Sequence, residues 1–238
     1  MSNAAQTTQE KKELAVVYEV DGEQIKLTPK IVQEYIVGTD AEITLPEFKM
    51  FTSLCKARKL NPFLKEAYCI KYGKQPAQIV VGKDAILKRA IKNPHYDGME
   101  SGVIVLGADG DIRERNGCFF LPTEKIVGGW ARVYRKDWSH PTYMSVAFEE
   151  VAQKKNDGSL NSNWAGKPAT MVEKVAKVRA LRETFIEDLE GMYEAEEMGV
   201  ELPKENDVTH DRVIIQQDEP IEVEATPVND GVVSMSDI

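Results

Sequence analysis

The sequence predicts an α+β protein in which an antiparallel sheet and hairpins pack against helices. Two observations carry that prediction. Between residues 67 and 148, short β-like segments follow one another across turns marked by Gly, Asp and Pro, with one helix-like stretch among them. The regions on either side switch to apolar residues spaced three and four apart, opened by Thr and Pro.

Alternation in Leu14–Val20 and Gln24–Leu27, split by Asp21-Gly22, predicts a small hairpin after a polar arm. Thr28 with Pro29 opens a helix running to Gly38. Thr44-Leu45-Pro46-Glu47 is a capping-box pattern for a helix to about Lys59, with Phe48, Phe51, Leu54 and Cys55 on one face. Ala67–Tyr72 and Ala77–Val81 should pair across Gly73-Lys74-Gln75-Pro76, and Lys83–Lys92 should form a short amphipathic helix. Val103–Leu106, an Asp109-Gly110 turn, a returning strand and a further β segment at Cys118–Leu121 follow. Trp130–Arg135 and Thr142–Phe148 then pair across the turn 136–141.

From Pro168 to about Met198 the apolar residues Met171, Val175, Val178, Phe185, Leu189 and Met192 define one stripe, with Glu183, Glu187, Glu190, Glu194 and Glu197 opposite. The spacing predicts one long C-terminal amphipathic helix of about 45 Å, of a length that spans neighbours in an assembly. The organisation expected is an N-terminal arm with its hairpin over 1–27, a core over 28–202, and an acidic, mostly disordered tail over 203–238.

The charge is sorted by position. Residues 56–182 hold 23 Lys/Arg against 13 Asp/Glu, whereas residues 183–238 hold 2 against 17. A basic middle inside a chain of net charge −9 points to a surface built for a polyanion. The three cysteines, Cys55, Cys69 and Cys118, show no metal-like spacing and read as buried thiols of a reducing compartment. No apolar run approaches the ~18 residues of a membrane span. No signal peptide opens the chain, so a cytoplasmic protein is expected.

Signatures of catalysis are weak. Gly82-Lys83 lacks the rest of a phosphate-binding loop, and Asp84 stands where the hydroxyl would be. His95, Asp97 and Glu100 could share a metal, but a turn at Asn93-Pro94 explains them more simply. Asp97, Asp109 and Asp111 are the candidate ligands of a metal-dependent nuclease, although Asp109-Gly110-Asp111 reads better as a hairpin turn. No enzyme activity, cofactor or metal is therefore expected.

Signatures of binding are stronger, because single strands are held by cations along the backbone and aromatic faces against the bases. Alternation places Trp130, Arg132 and Tyr134 on one face of their strand, and Tyr68, Ile70 and Tyr72 on one face of theirs, with Lys71 opposite. The stacking candidates are thus Tyr68, Tyr72, Trp130 and Tyr134, each equally readable as core. Lys74 marks a hairpin tip, Lys88 and Arg89 lie on the short helix with Lys83 and Lys92, and Lys154 and Lys155 precede an Asn-Asp-Gly turn. Lys174 and Lys177 belong to a basic stretch over 167–179. Arg182 falls inside the apolar stripe between Val178 and Phe185, where an unpaired guanidinium would be costly. It needs an anionic partner: a buried carboxylate, a phosphate or a subunit boundary.

Five runs in order resemble the phage recombination proteins of the RecT/Redβ (Bet) family. They are the segment 60–68 (Leu-Asn-Pro-Phe-Leu-Lys-Glu-Ala-Tyr), 80–84 (Val-Val-Gly-Lys-Asp) and 93–99 (Asn-Pro-His-Tyr-Asp-Gly-Met). Next come 132–137 (Arg-Val-Tyr-Arg-Lys-Asp) with His140-Pro141, and Trp164 leading into Met171 through Arg182 to Phe185. Ala85 departs from the pattern, since members commonly carry Gly after the Asp. The resemblance covers roughly residues 45–200 and implies ATP-independent annealing of single-stranded DNA by a protein that assembles as rings or helical filaments. It implies DNA contacts from Lys65, Lys71 or Lys74, Lys88, Lys136, Lys154 or Lys155, and Arg182. Partners on this reading are single-stranded DNA, the annealed duplex intermediate, other copies of the chain, a phage exonuclease and a host single-strand-binding protein. A passive single-strand coat is the remaining binding alternative.

Overall fold

The computed structural model describes residues 14–37 and 41–200. Strands β1 (Val16–Val20) and β2 (Glu23–Leu27) form the expected hairpin. Its turn residues Asp21 and Gly22 have φ of 50° and 90°, the two positive values that a tight hairpin turn demands. Thr28 Oγ1 accepts from Ile31 N at 3.2 Å and caps α1 (Pro29–Ile31), which continues as a π turn over Val32–Ile36. The expected end of this helix at Gly38, the arm over 1–13 and the tail over 203–238 lie outside the described residues.

Helix α2 (Leu45–Arg58) starts at the predicted capping box, where Glu47 Oε2 accepts from Thr44 N at 2.7 Å. Phe48, Phe51 and Cys55 enter the core. Lys59, at φ 48°, stops the helix, and Asn61 caps a single 3-10 turn over Pro62–Leu64. Strands β3 (Ala67–Ile70) and β4 (Gln78–Val81) make a second antiparallel hairpin, followed by α3 (Lys83–Lys92).

The main sheet contains β5 (Tyr96–Leu106), β6 (Ile112–Asn116), β7 (Lys125–Arg135) and β8 (Thr142–Ala147), all antiparallel in the order β6-β5-β7-β8. Strands β5 and β7 run further toward their N-termini than the sequence predicts, because Gly98, Gly102, Gly128 and Gly129 interrupt the apolar alternation without ending the ladder. The β segment expected at Cys118–Leu121 does not form. Glu124 gathers that loop instead, accepting from Leu121 N at 2.9 Å while pairing with Arg115, and Phe119 faces outward. Cys118, expected to be buried like Cys55 and Cys69, is exposed because it lies in this loop and not in a strand.

After the sheet come α4 (Phe148–Val151), α5 (Ser162–Gly166), α6 (Pro168–Thr184), α7 (Ile186–Leu189) and α8 (Ala195–Met198). Helix α6 lies against β5, β7 and β8, its Val172, Val175, Ala176 and Leu181 joining Val103, Val105, Ala131, Val133 and Val146 in one core. Gly129 permits that approach, since a Cβ there would stand 2.5 Å from Val172 O.

The long helix expected over 168–198 is interrupted at Phe185, whose φ/ψ of −123°/53° leaves helical space. Thr184 Oγ1 donates back to Ala180 O at 2.7 Å, and Arg135 Nη1 donates to Thr184 O at 3.1 Å. These bonds use carbonyls at the point where the helix would otherwise continue. Gly191, at φ 76°, then reverses the chain. The apolar period survives the break because α7 and the residues flanking it still deliver Phe185, Leu189 and Met192 to the core, all buried. Among the described residues no helix is long and apolar enough to cross a membrane.

Candidate nucleic-acid interface

The last turn of α2, the β1–β2 turn and α3 enclose an open cleft of about 810 Å³. Six cations line it, Lys56, Arg58, Lys59, Lys88, Arg89 and Lys92, against the carboxylates of Glu19, Asp21, Glu66 and Asp188. The capping that ends α2 places its last-turn cations at one wall, and the amphipathic register of α3 places Lys88 and Lys92 at the other.

Most of the acids in this cleft are already engaged. Lys88 Nζ lies 2.8 Å from both Asp21 Oδ2 and Glu66 Oε1, and Lys92 Nζ lies 2.6 Å from Asp21 Oδ1. The two lysines hold the Asp21 carboxyl down to about 2. Glu66 also accepts from Asn61 N, and Asp188 from Asn93 Nδ2. Arg89 and Arg58 serve the end of α7, donating to Asp188 O at 2.8 Å and Glu187 O at 3.0 Å respectively. Burial, together with the neighbouring Arg58, lowers the Arg89 pKa. Lys56 and Lys59 are exposed, with no carboxylate of the described residues within 4 Å. They give the cleft its positive surplus. Lys136 reaches the rim, its Nζ donating to Pro94 O at 3.2 Å.

A second cationic surface lies on the sheet. Alternation in β7 puts Trp130, Arg132 and Tyr134 on the face away from α6, as the sequence indicates. Trp130 is 1% exposed, however, and Arg132 covers its ring at 4.5 Å. Tyr134 donates to Glu100 at 2.9 Å. Cross-strand register brings Tyr143 of β8 opposite Arg132, 5.0 Å from its guanidinium and 45% exposed. Glu114 ties this group together, taking Arg132 Nη2 and Tyr143 Oη at 2.8 Å each.

In the β3–β4 hairpin, Lys71 is buried and bridges to Glu47 Oε2 at 2.8 Å, while the same carboxylate takes Ala77 N at 2.8 Å through Oε1. Lys74 stands exposed at the tip, Tyr72 is exposed nearby, and Tyr68 packs beside Ile70 and Val80. Lys65 follows the 3-10 turn at φ 60°. Lys154 lies 3.5 Å from Glu149, and Lys155 is exposed in the next position.

Helix α6 carries the third group. Lys177 pairs with Glu173 at 2.7 Å, Lys174 with Glu196 at 2.8 Å, and Arg182 with both oxygens of Glu197. The anionic partner that the position of Arg182 requires is therefore a carboxylate of the chain itself.

The structure thus gathers Lys88, Arg89 and Lys136 around one cleft, places Lys174, Lys177 and Arg182 on one helix, and sets Arg132 on the sheet face. Sequence reasoning missed Lys56, Arg58 and Lys59, whose signal was a basic cluster closing α2 immediately before Leu60-Asn61-Pro62. It missed Tyr143, detectable only once the β7–β8 register is known. Trp138, exposed and stacked 4.6 Å from Arg135, was also missed.

Among the described residues no three of His, Cys, Asp and Glu converge as a metal site would require. Asp109 and Asp111 are both held by Arg113 in the β5–β6 turn. The arrangement offers charge and aromatic faces for binding a phosphate chain.

In comparison with known protein families, residues 23–211 match the RecT family. No curated protein matches the chain.

Proposed function

The chain belongs to the RecT family, whose members serve recombination by annealing single-stranded DNA, and on that premise we propose that it anneals complementary strands without a nucleotide cofactor. The observation that carries this reading is the cleft between α2 and α3, where Lys56 and Lys59 exceed the local acids. Cations there neutralise phosphates of one strand and reduce the repulsion that opposes a second strand. Contacts to backbone and base faces leave the pairing edges free, so the complementary strand reads the sequence. Tyr143 and Trp138 are among the exposed rings that would face the bases. Copies of the chain along one strand would hold it extended as a ring or filament, and a phage exonuclease and a host single-strand-binding protein would act beside it in the cytoplasm.

The test mixes complementary oligonucleotides with the protein in the absence of nucleotide. Duplex formation faster than in protein-free controls is expected, and a rate at or below the control contradicts annealing. Tight binding with slowed pairing would identify a passive coat.

A further inference from the structure

Residues after Gly191 fold back over α6 and lay acid onto its basic side. Tyr193 O accepts from Val81 N at 2.8 Å, and Ala195 and Val200 pack with Ile70 and Val80 of the β3–β4 hairpin. Gln153 Nε2 donates to Ala195 O at 3.2 Å from the other side. Between these anchors, three glutamates face the helix. Glu196 Oε2 and Glu194 Oε1 lie 2.8 and 3.4 Å from Lys174 Nζ. Glu197 forks onto Arg182 and lies 3.8 Å from Arg179 Nε. The ring of Tyr193 sits 4.6 Å from the Arg182 guanidinium.

Each group here has a counterpart in a nucleic-acid strand. A carboxylate and a phosphate present the same two-oxygen edge to an arginine fork. An aromatic ring on a guanidinium takes the place of a stacked base. The segment is also held at a cost, because Glu194 is 1% exposed and burial opposes the charge that would pair it with Lys174. A ligand that supplied the anions from outside would relieve that cost.

We infer that Tyr193–Val200 is a strap that occupies a second phosphate-binding row, Lys174, Arg179 and Arg182, and that single-stranded nucleic acid displaces it. This rests on the reading of the chain as a single-strand-binding protein and adds the regulation of one of its surfaces. In the free protein the row is masked and the α2–α3 cleft is open, so engagement proceeds from the cleft to the row.

The test is hydrogen exchange of the full chain with and without saturating oligothymidylate. The amides of Met198 and Val200, which donate to Glu194 O and Ala195 O at 3.2 and 3.0 Å, are expected to exchange faster when the oligonucleotide is bound. Unchanged or increased protection at saturation overturns the strap and leaves single-strand binding intact. A Glu196→Gln/Glu197→Gln variant covers the case in which the wild-type chain binds nothing. Binding by that variant supports a closed strap, whereas no binding by either chain overturns both readings. Where wild type does bind, the variant is expected to bind about fivefold more tightly, the equivalent of roughly 1 kcal/mol of lost ion pairing.

Discussion

The Arg132 guanidinium lies 4.5 Å from the ring of Trp130, and this contact turns an apparent base-stacking residue into the floor of a cation site. The indole is buried beneath it, with Nε1 donating to Arg115 O at 3.2 Å. The charge therefore remains at the surface while the ring beneath it is used for packing.

Arg132→Ala should uncover Trp130 and leave Glu114 without its cation. A loss of about 1–2 kcal/mol in urea unfolding is expected, in the range for a partly desolvated cation–π contact. An unchanged midpoint would show that the stack contributes nothing.

Glu47 joins three elements, accepting from Thr44 N, Ala77 N and Lys71 Nζ. Lys71, with the two backbone amides, holds its carboxyl at about 2 against an ordinary 4.5. A depressed folded-state value stabilises the protein above the unfolded value, and that contribution disappears as pH falls from about 4.5 toward 2. Glu47→Ala should cost about 3 kcal/mol at neutral pH, because it removes the carboxylate that pairs with the buried Lys71 ammonium and accepts two backbone amides. Thermal unfolding of variant and wild type should converge at acid pH.

Glu194 behaves in the opposite way. Burial pushes its carboxyl up to about 8, with Glu196 and Glu197 adding to the rise and Lys174 opposing it. Between about 4.5 and 8 the folded chain holds a proton that the unfolded chain has lost, so stability is full at the acid end and declines as pH rises through about 8. Exchange protection of the α8 amides should weaken over that range, and Glu194→Gln should flatten the dependence.

At Gly129 the α6 backbone leaves no room for a methyl group, with Val172 O 2.5 Å from the position of a Cβ. Gly129→Ala should destabilise by about 1–3 kcal/mol, as overpacking does elsewhere, and urea denaturation measures it.

The sequence revealed those parts of the fold whose signals are local. The hairpin at Asp21-Gly22, the capping box at Thr44 and Glu47, and the pairing of β7 with β8 all follow from side chains within a few positions of one another. The break at Phe185 was hidden because its causes are distant: Arg135, Arg58 and Arg89, on other elements, donate to the carbonyls of Thr184, Glu187 and Asp188. The apolar period ran on through the break and suggested a single helix. The candidate interface divided in the same way. Individual cations were visible, but their partners were not, since Lys71 meets a glutamate 24 positions away and Lys88 one 22 positions away. Arg182 was recognisable as needing an anion, yet its partner Glu197 was assigned to the opposite face of an uninterrupted helix.

On the proposed reading, the surplus cations of the α2–α3 cleft hold the sugar–phosphate chain of a single strand. This is tested most directly by titrating an oligonucleotide with wild type and with Lys56→Gln/Lys59→Gln across a range of salt concentrations. Weaker binding by the variant is expected, with a log–log salt slope shallower by about 1.4, the release expected from two fewer phosphate contacts on a single strand. Equal affinity and equal slope for the two proteins would contradict that reading.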